Sequence, residues 1–214
     1  MSHQTRDDPW LGSERVALAS DPVVAWRRWR LRPDESGEPL LASAHEDYVW
    51  LHTTVRAQCS PSRTWSYRMA SDGPNERDHP VPSAGCRCGM YAYQTPELAR
   101  PKGPGVWVHG QILVRGPMFI TDSGYRGREA TIDGPLELVV ECVGGDDLYS
   151  PTRCFGQSVL IKFAPKVYYP ICDAHRDAPV GKAVAGSLTV PEFIQAASFL
   201  AERMDTLIAA PVSL

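Results

Sequence analysis

The chain has 214 residues, enough for one large domain or two small ones with a real core. Hydrophobic residues make up 43% and charged residues 22%, as in an ordinary globular protein. The net charge of -3 argues against coating nucleic acid by bulk charge, while leaving room for a local basic face.

No apolar run approaches the roughly 18–20 residues of a transmembrane helix, so no membrane span is expected. The opening MSHQTRDDPWLGSER is polar and carries acids, without the apolar core of a secretory signal. The expected compartment is therefore the cytoplasm, with residues 1–20 a flexible leader. There the six cysteines, at 59, 86, 88, 142, 154 and 172, should be reduced. They are then metal ligands or small buried hydrophobes rather than disulfides.

Along the chain, VVAWRRWRL (23–31) is rich in β-branched and aromatic residues. The prolines and turn residues after it favour a strand over a helix. As a strand it puts Arg28, Arg30 and Arg32 on one face, interleaved with Trp26 and Trp29. That is compatible with nucleic-acid contact, although such a face is more often merely solvated. DYVWLHTTVRAQC (47–59) predicts a strand or a pair of short strands. Residues 60–85 form a long loop rich in proline, glycine and polar residues, of the kind that is usually functional or pinned by something. MYAYQTPELAR predicts a strand or a short helical turn, and PKGPG (101–105) a break.

The strongest β signal follows. VWVHGQILVRG (106–116), a polar turn at TDSGYRG and then REATIDG predict an antiparallel meander. LELVVECV (136–143) adds a further apolar run, and SVLIKFAPKVYY (158–169) is β-rich. The one clear helix lies in TVPEFIQAASFLAERMDTLIAA. Thr189 can cap it, Pro191 and Glu192 suit its first turn, and Phe193, Ala196, Ala197, Leu200, Met204 and Leu207 fall near one stripe. The fold class is thus α+β and mainly β. A zinc-clipped part over 21–100 precedes an antiparallel meander or small barrel with a C-terminal helix over 101–214.

HPVPSAGCRCGMYAY (79–93) carries the chemistry. Structural zinc takes four thiolate or imidazole ligands, and Cys59, His79, Cys86 and Cys88 can supply them around the loop. The Cys-x-Cys spacing is tighter than the usual knuckle, but Gly89 relieves the turn. A metal there would hold a loop that has no core of its own. The competing reading alternates Cys86 and Cys88 across a strand. A second set, Cys172 and His175 in ICDAH with Cys142 or Cys154, has better spacing. It is ranked below the first, because the pair also fits a plain turn after a buried strand.

The pattern of zinc deaminases and the HExxH motif are absent, as are phosphate-loop motifs and the nucleophile elbow, so a closed structural zinc is preferred over a catalytic one. In SGYRGREA (123–130), Tyr125, Arg126 and Arg128 form a candidate ligand-binding group, able to stack a base or grip a phosphate.

Three stretches, VWLHTTVRAQC with the Trp-rich segment before it, CRCGMYA, and SGYRGREATI, resemble a group of small actinobacterial and actinophage proteins. That group carries a C-x-C-G-x-Y-A signature and a later G-Y-R-A-like turn. The resemblance covers roughly residues 25–132. It implies organisation and origin more than an activity, and it groups Cys59, Cys86 and Cys88. The chain departs from the pattern at Gly127, where alanine is usual. The preferred function is a zinc-stabilised recognition or regulatory module for a protein or nucleic-acid partner. The alternative is an enzyme acting on a small molecule or nucleotide in a cleft near His109 and Arg126.

Overall fold

A computed structural model describes residues 15–18, 21–44, 48–57, 79–83, 88–101, 103–143, 154, 156–177 and 184–209, the first of these by backbone alone. In chain order its strands are β1 (Arg15–Leu18), β2 (Val23–Pro33), β3 (Pro39–Ser43), β4 (Val49–Trp50), β5 (Thr54–Arg56) and β6 (Met90–Tyr93). The series continues with β7 (Gly105–Ile120), β8 (Gly124–Glu141), β9 (Ser158–Ala164), β10 (Val167–Cys172), β11 (Gly186–Thr189) and β12 (Ile208–Ala209). The helices are α1 (Pro96–Ala99) and α2 (Val190–Arg203), with a 3-10 turn over Asp173–His175. The protein is mainly β with antiparallel sheets and a C-terminal helix, as the sequence predicts. Among the described residues no helix is long and apolar enough to cross a membrane.

Two compact units divide the chain: Met1–Trp26, Thr54–Leu98 and Ile112–Thr131 make the first, and Arg27–Thr53, Ala99–Gln111 and Ile132–Leu214 the second. The boundaries fall inside β2, between β4 and β5, inside α1, and inside β7 and β8.

In the first unit, β7 and β8 are neighbours, and β6 and β5 pair with successive stretches of β8. Arg15–Leu18 forms β1 and pairs antiparallel with Pro117–Ile120. The polar turn between β7 and β8 is tighter than the sequence suggested. Thr121 N donates to Gly124 O at 2.9 Å, and Gly124 N donates to Thr121 Oγ1 at 3.1 Å. Tyr125, Arg126 and Arg128 thus stand on β8 and not on the turn.

In the second unit, β2 pairs with β3 and β3 with β4, while β10, β9 and β11 form a separate antiparallel sheet. On β2, Trp29 and Leu31 are buried while Arg28, Arg30 and Arg32 share the opposite face, as period-2 alternation requires. Trp29 meets Trp50 edge to face at 5.2 Å.

Helix α2 starts as the sequence predicts. Thr189 Oγ1 accepts from Glu192 N, and Glu192 Oε2 accepts from Thr189 N at 2.7 Å, which closes a capping box. Phe193, Ala197, Leu200 and Ala201 form its buried stripe. The helix ends at Arg203, so Leu207 leaves the stripe and is exposed. REATIDG and LELVVECV are not separate strands. β8 runs through Gly134, whose φ of +91° only glycine adopts easily, and Pro135 is exposed there, where its missing N–H costs nothing.

Candidate metal centre

The donor atoms of Cys142, Cys154, Cys172 and His175 all lie within 4.8 Å of one another, so this group can hold a metal ion. Cys142 directly follows β8. Val143 N donates to Pro170 O at 3.0 Å, which ties this end of the chain to β10. Cys172 ends β10 beyond a register irregularity at Ile171/Cys172. The 3-10 turn then swings His175 back, so that its Nδ1 lies 3.3 Å from Cys172 Sγ and 3.6 Å from Cys142 Sγ. Cys154 Sγ lies 3.6 Å from Cys172 Sγ.

Two backbone amides aim at the sulfurs. Cys172 N donates to Cys142 Sγ and Gly156 N donates to Cys154 Sγ, each at 3.4 Å. Donors of this kind favour thiolate over thiol and fix the direction of the sulfur lone pairs. Burial alone would raise the Cys172 thiol, but hydrogen bonds from Cys154, His175 and Cys142 outweigh it and bring the group down to about 7. Gly156 is pressed so closely on the cluster that an added Cβ would sit 2.8 Å from Cys172 Sγ. Cys142 and Cys172 are buried, Cys154 and His175 partly so. A donor set of three sulfurs and one imidazole suits a soft or borderline cation rather than magnesium or calcium.

The set ranked second in the sequence is therefore the one brought together here. Its local signal was the Cys-x-x-His spacing at a strand end; what the sequence could not supply was the approach of Cys142, which depends on the pairing of its neighbour with β10. Of the set ranked first, His79 Nδ1 stands 4.0 Å from Cys88 Sγ, and Cys59 and Cys86 lie outside the described residues.

The ligand-binding candidates separate. Arg126 is 2% exposed; its guanidinium donates to Cys88 O at 3.0 Å and Ser83 O at 3.3 Å, and stacks over Phe119. Its charge is spent on the protein itself, holding the loop before β6. Tyr125 is half-buried, and Arg128 is exposed. His109 is buried on β7, with Nε2 3.2 Å from Glu137 Oε2. Burial holds its pKa below the ordinary value and Arg100 adds to this, against the opposing pull of Glu137. One cavity is bounded by Ser36, Phe163, Glu192 and Phe199 among others, and a second by Arg56, Arg115 and Arg128; neither includes His109 or Arg126.

Compared with known protein families, with curated proteins and with solved structures, the chain matches none.

Proposed function

We propose that the chain is a zinc-stabilised recognition or regulatory module, acting in the cytoplasm. In this reading Cys142, Cys154, Cys172 and His175 hold a structural zinc ion, and the surface elsewhere binds a protein or nucleic-acid partner.

The observation that carries the reading is the size of the donor cluster. Zn–S bonds of about 2.3 Å and a Zn–N bond of about 2.0–2.1 Å, set at tetrahedral angles, give S–S edges of about 3.8 Å and S–N edges of about 3.5 Å. The separations of 3.6 Å for Cys154–Cys172, 3.6 Å for Cys142–His175 and 3.3 Å for Cys172–His175 fall close to those edges. Four protein donors leave no position for water, so the ion would act through folding free energy and not through hydrolysis. A reducing compartment keeps such thiolates available for metal. The enzyme alternative has no comparable support, since His109 is buried against Glu137 and Arg126 is bonded to backbone.

Elemental analysis of the purified protein tests this. Stoichiometric zinc is expected, lost in Cys142→Ser/Cys172→Ser and kept in His79→Ala/Cys88→Ser. A folded protein without zinc overturns the reading. Zinc lost only from the His79/Cys88 variant moves the ion to the other clip.

A further inference from the structure

We propose that Arg56, Arg115 and Arg128 form a binding site for a dianionic phosphate group, such as a phosphate monoester or a pyrophosphate. The proposal rests on the reading of the chain as a binding module and names the chemistry of what it binds; it does not depend on the metal.

The site is assembled within the first unit. Arg56 of β5 stands opposite Glu129 of β8 in the antiparallel register, and Arg128 is the residue before. Arg115 belongs to β7, directly before Gly116. Gly116 takes φ +79°, and the position its Cβ would fill lies 3.5 Å from Arg128 Cβ and 3.8 Å from Arg128 Cδ. The glycine thus allows the bend and leaves the Arg128 stem lying across bare backbone. The three arginines, Gly116, Pro117 and Glu129 bound a cavity of about 250 Å³. That is small beside the ~300–1,000 Å³ of pockets for drug-sized ligands, and it suits one or two phosphate groups.

Charge decides the ligand class. Arg56 Nε contacts Glu129 Oε2 at 2.5 Å, so one guanidinium is already compensated. Arg115 and Arg128 have no ion-pair partner among the described residues. The residues bounding the cavity carry three positive charges and one negative, a net of two positive. Such a cluster repels itself in the free protein, and nothing in strand pairing requires it. It is complementary to a compact dianion, which guanidiniums grip through paired, charge-assisted hydrogen bonds. A carboxylate or a phosphodiester carries only one charge and would leave the second guanidinium unanswered. Arg128 was a ligand candidate in the sequence; its companions here are Arg56 and Arg115 instead of the buried Arg126.

The test is titration calorimetry at low ionic strength with inorganic pyrophosphate and with phenyl phosphate, on the full chain whose zinc content is measured in the same sample. Saturable one-to-one binding is expected. Arg115→Gln and Arg128→Gln should each weaken it about tenfold or more, as expected for losing a charge-assisted contact. Glu129→Gln should strengthen it, because it frees Arg56 and removes a negative charge from the cavity. Arg203→Gln, an exposed position at the end of α2, should change nothing. Phenyl phosphate binding as well as pyrophosphate would identify an ester terminus as the natural group, and binding of pyrophosphate alone an anhydride. Either supports the site. Absence of saturable binding, equal weakening by Arg203→Gln, or a 5′-hydroxyl oligonucleotide binding as tightly as pyrophosphate would each overturn it. A zinc-free sample that binds pyrophosphate refutes the zinc assignment alone, and a zinc-loaded sample that does not bind refutes this site alone.

Discussion

Gly156→Ala should loosen the Cys142/Cys154/Cys172/His175 cluster without replacing a ligand. An alanine Cβ at 156 would stand 2.8 Å from Cys172 Sγ, 2.9 Å from Cys172 Cβ and 3.3 Å from Cys154 Sγ. Unstrained non-bonded contacts begin near 3.5 Å, so the methyl must push the Cys172 sulfur, or its own backbone, by about 0.7 Å. Metal ligands tolerate departures of only about 0.2 Å, which makes the displacement larger than the site can absorb. If the backbone yields instead, the Gly156 N–H leaves Cys154 Sγ, its acceptor at 3.4 Å. Either way the loss falls in the range for damaged supporting contacts, about 10–100-fold in metal affinity, or about 1.4–2.8 kcal/mol. Competition with a chromophoric chelator reads this directly. Gly103→Ala is the control, since a Cβ there meets nothing within 4 Å. Equal zinc affinity for Gly156→Ala and the unaltered chain would refute the geometry argued for the cluster.

At Gly127 an added Cβ would overlap Val114 Cγ1, so Gly127→Ala should cost about 1–3 kcal/mol in urea unfolding; Val114→Ala should recover part of that loss, and a purely additive double variant would disprove the clash. Thr189→Ala removes the side-chain half of the capping box on α2 and should lower stability by about 1 kcal/mol, with helix content at low temperature little changed. His109 is held below its ordinary pKa, so below about pH 6.5 the unfolded chain takes up the proton before the folded one does. Its contribution to stability is therefore present above that pH and lost as pH falls toward the folded value. Urea midpoints at pH 7.5 and 5.5 should differ less in His109→Gln than in the unaltered chain, and an unchanged difference would refute the assignment.

Features settled by neighbours in the chain were legible. Thr189, Pro191 and Glu192 sit within one turn and announce the start of α2 by local hydrogen bonding alone. The alternation on β2 likewise separates Trp29 and Leu31 from Arg28, Arg30 and Arg32. Features settled across the chain were not legible. Arg126 and Arg128 have the same parity on β8 and the same side chain, yet one is buried and the other open. What separates them is Ser83 and Cys88, whose carbonyls accept from the Arg126 guanidinium. The metal group failed to stand out for the same reason. Cys86 and Cys88 stand one residue apart and draw attention, whereas Cys142 reaches Cys172 because β8 ends beside β10. Spacing identifies a knuckle; it does not identify which distant thiols complete it.

That dependence on distant pairing bears on what a metal would do in the second unit. In the three-stranded sheet β10–β9–β11, Val143 and Ile171 lie toward the cysteine end of an apolar cluster that continues through Tyr169 to Ala164 and Val167 at the far, hairpin end. At the cysteine end the burial of Val143 and Ile171 offsets only part of the entropy lost in ordering the strand ends and the 3-10 turn. An ion held by Cys142, Cys154, Cys172 and His175 would close the long connection between β8 and β9 and fasten the end of β10 in one step. Chelation should then act locally. Amides of Val143, Tyr168, Tyr169, Ile171 and Cys172 should lose hydrogen-exchange protection, while those of the β2–β3 hairpin, anchored by Trp29, Leu31 and Leu41, should keep most of theirs. Uniform loss across both would mean that the ion supports the whole unit cooperatively. No loss at the β10 amides would mean that hydrophobic packing alone holds the strand, and the metal would then have no structural task in this sheet.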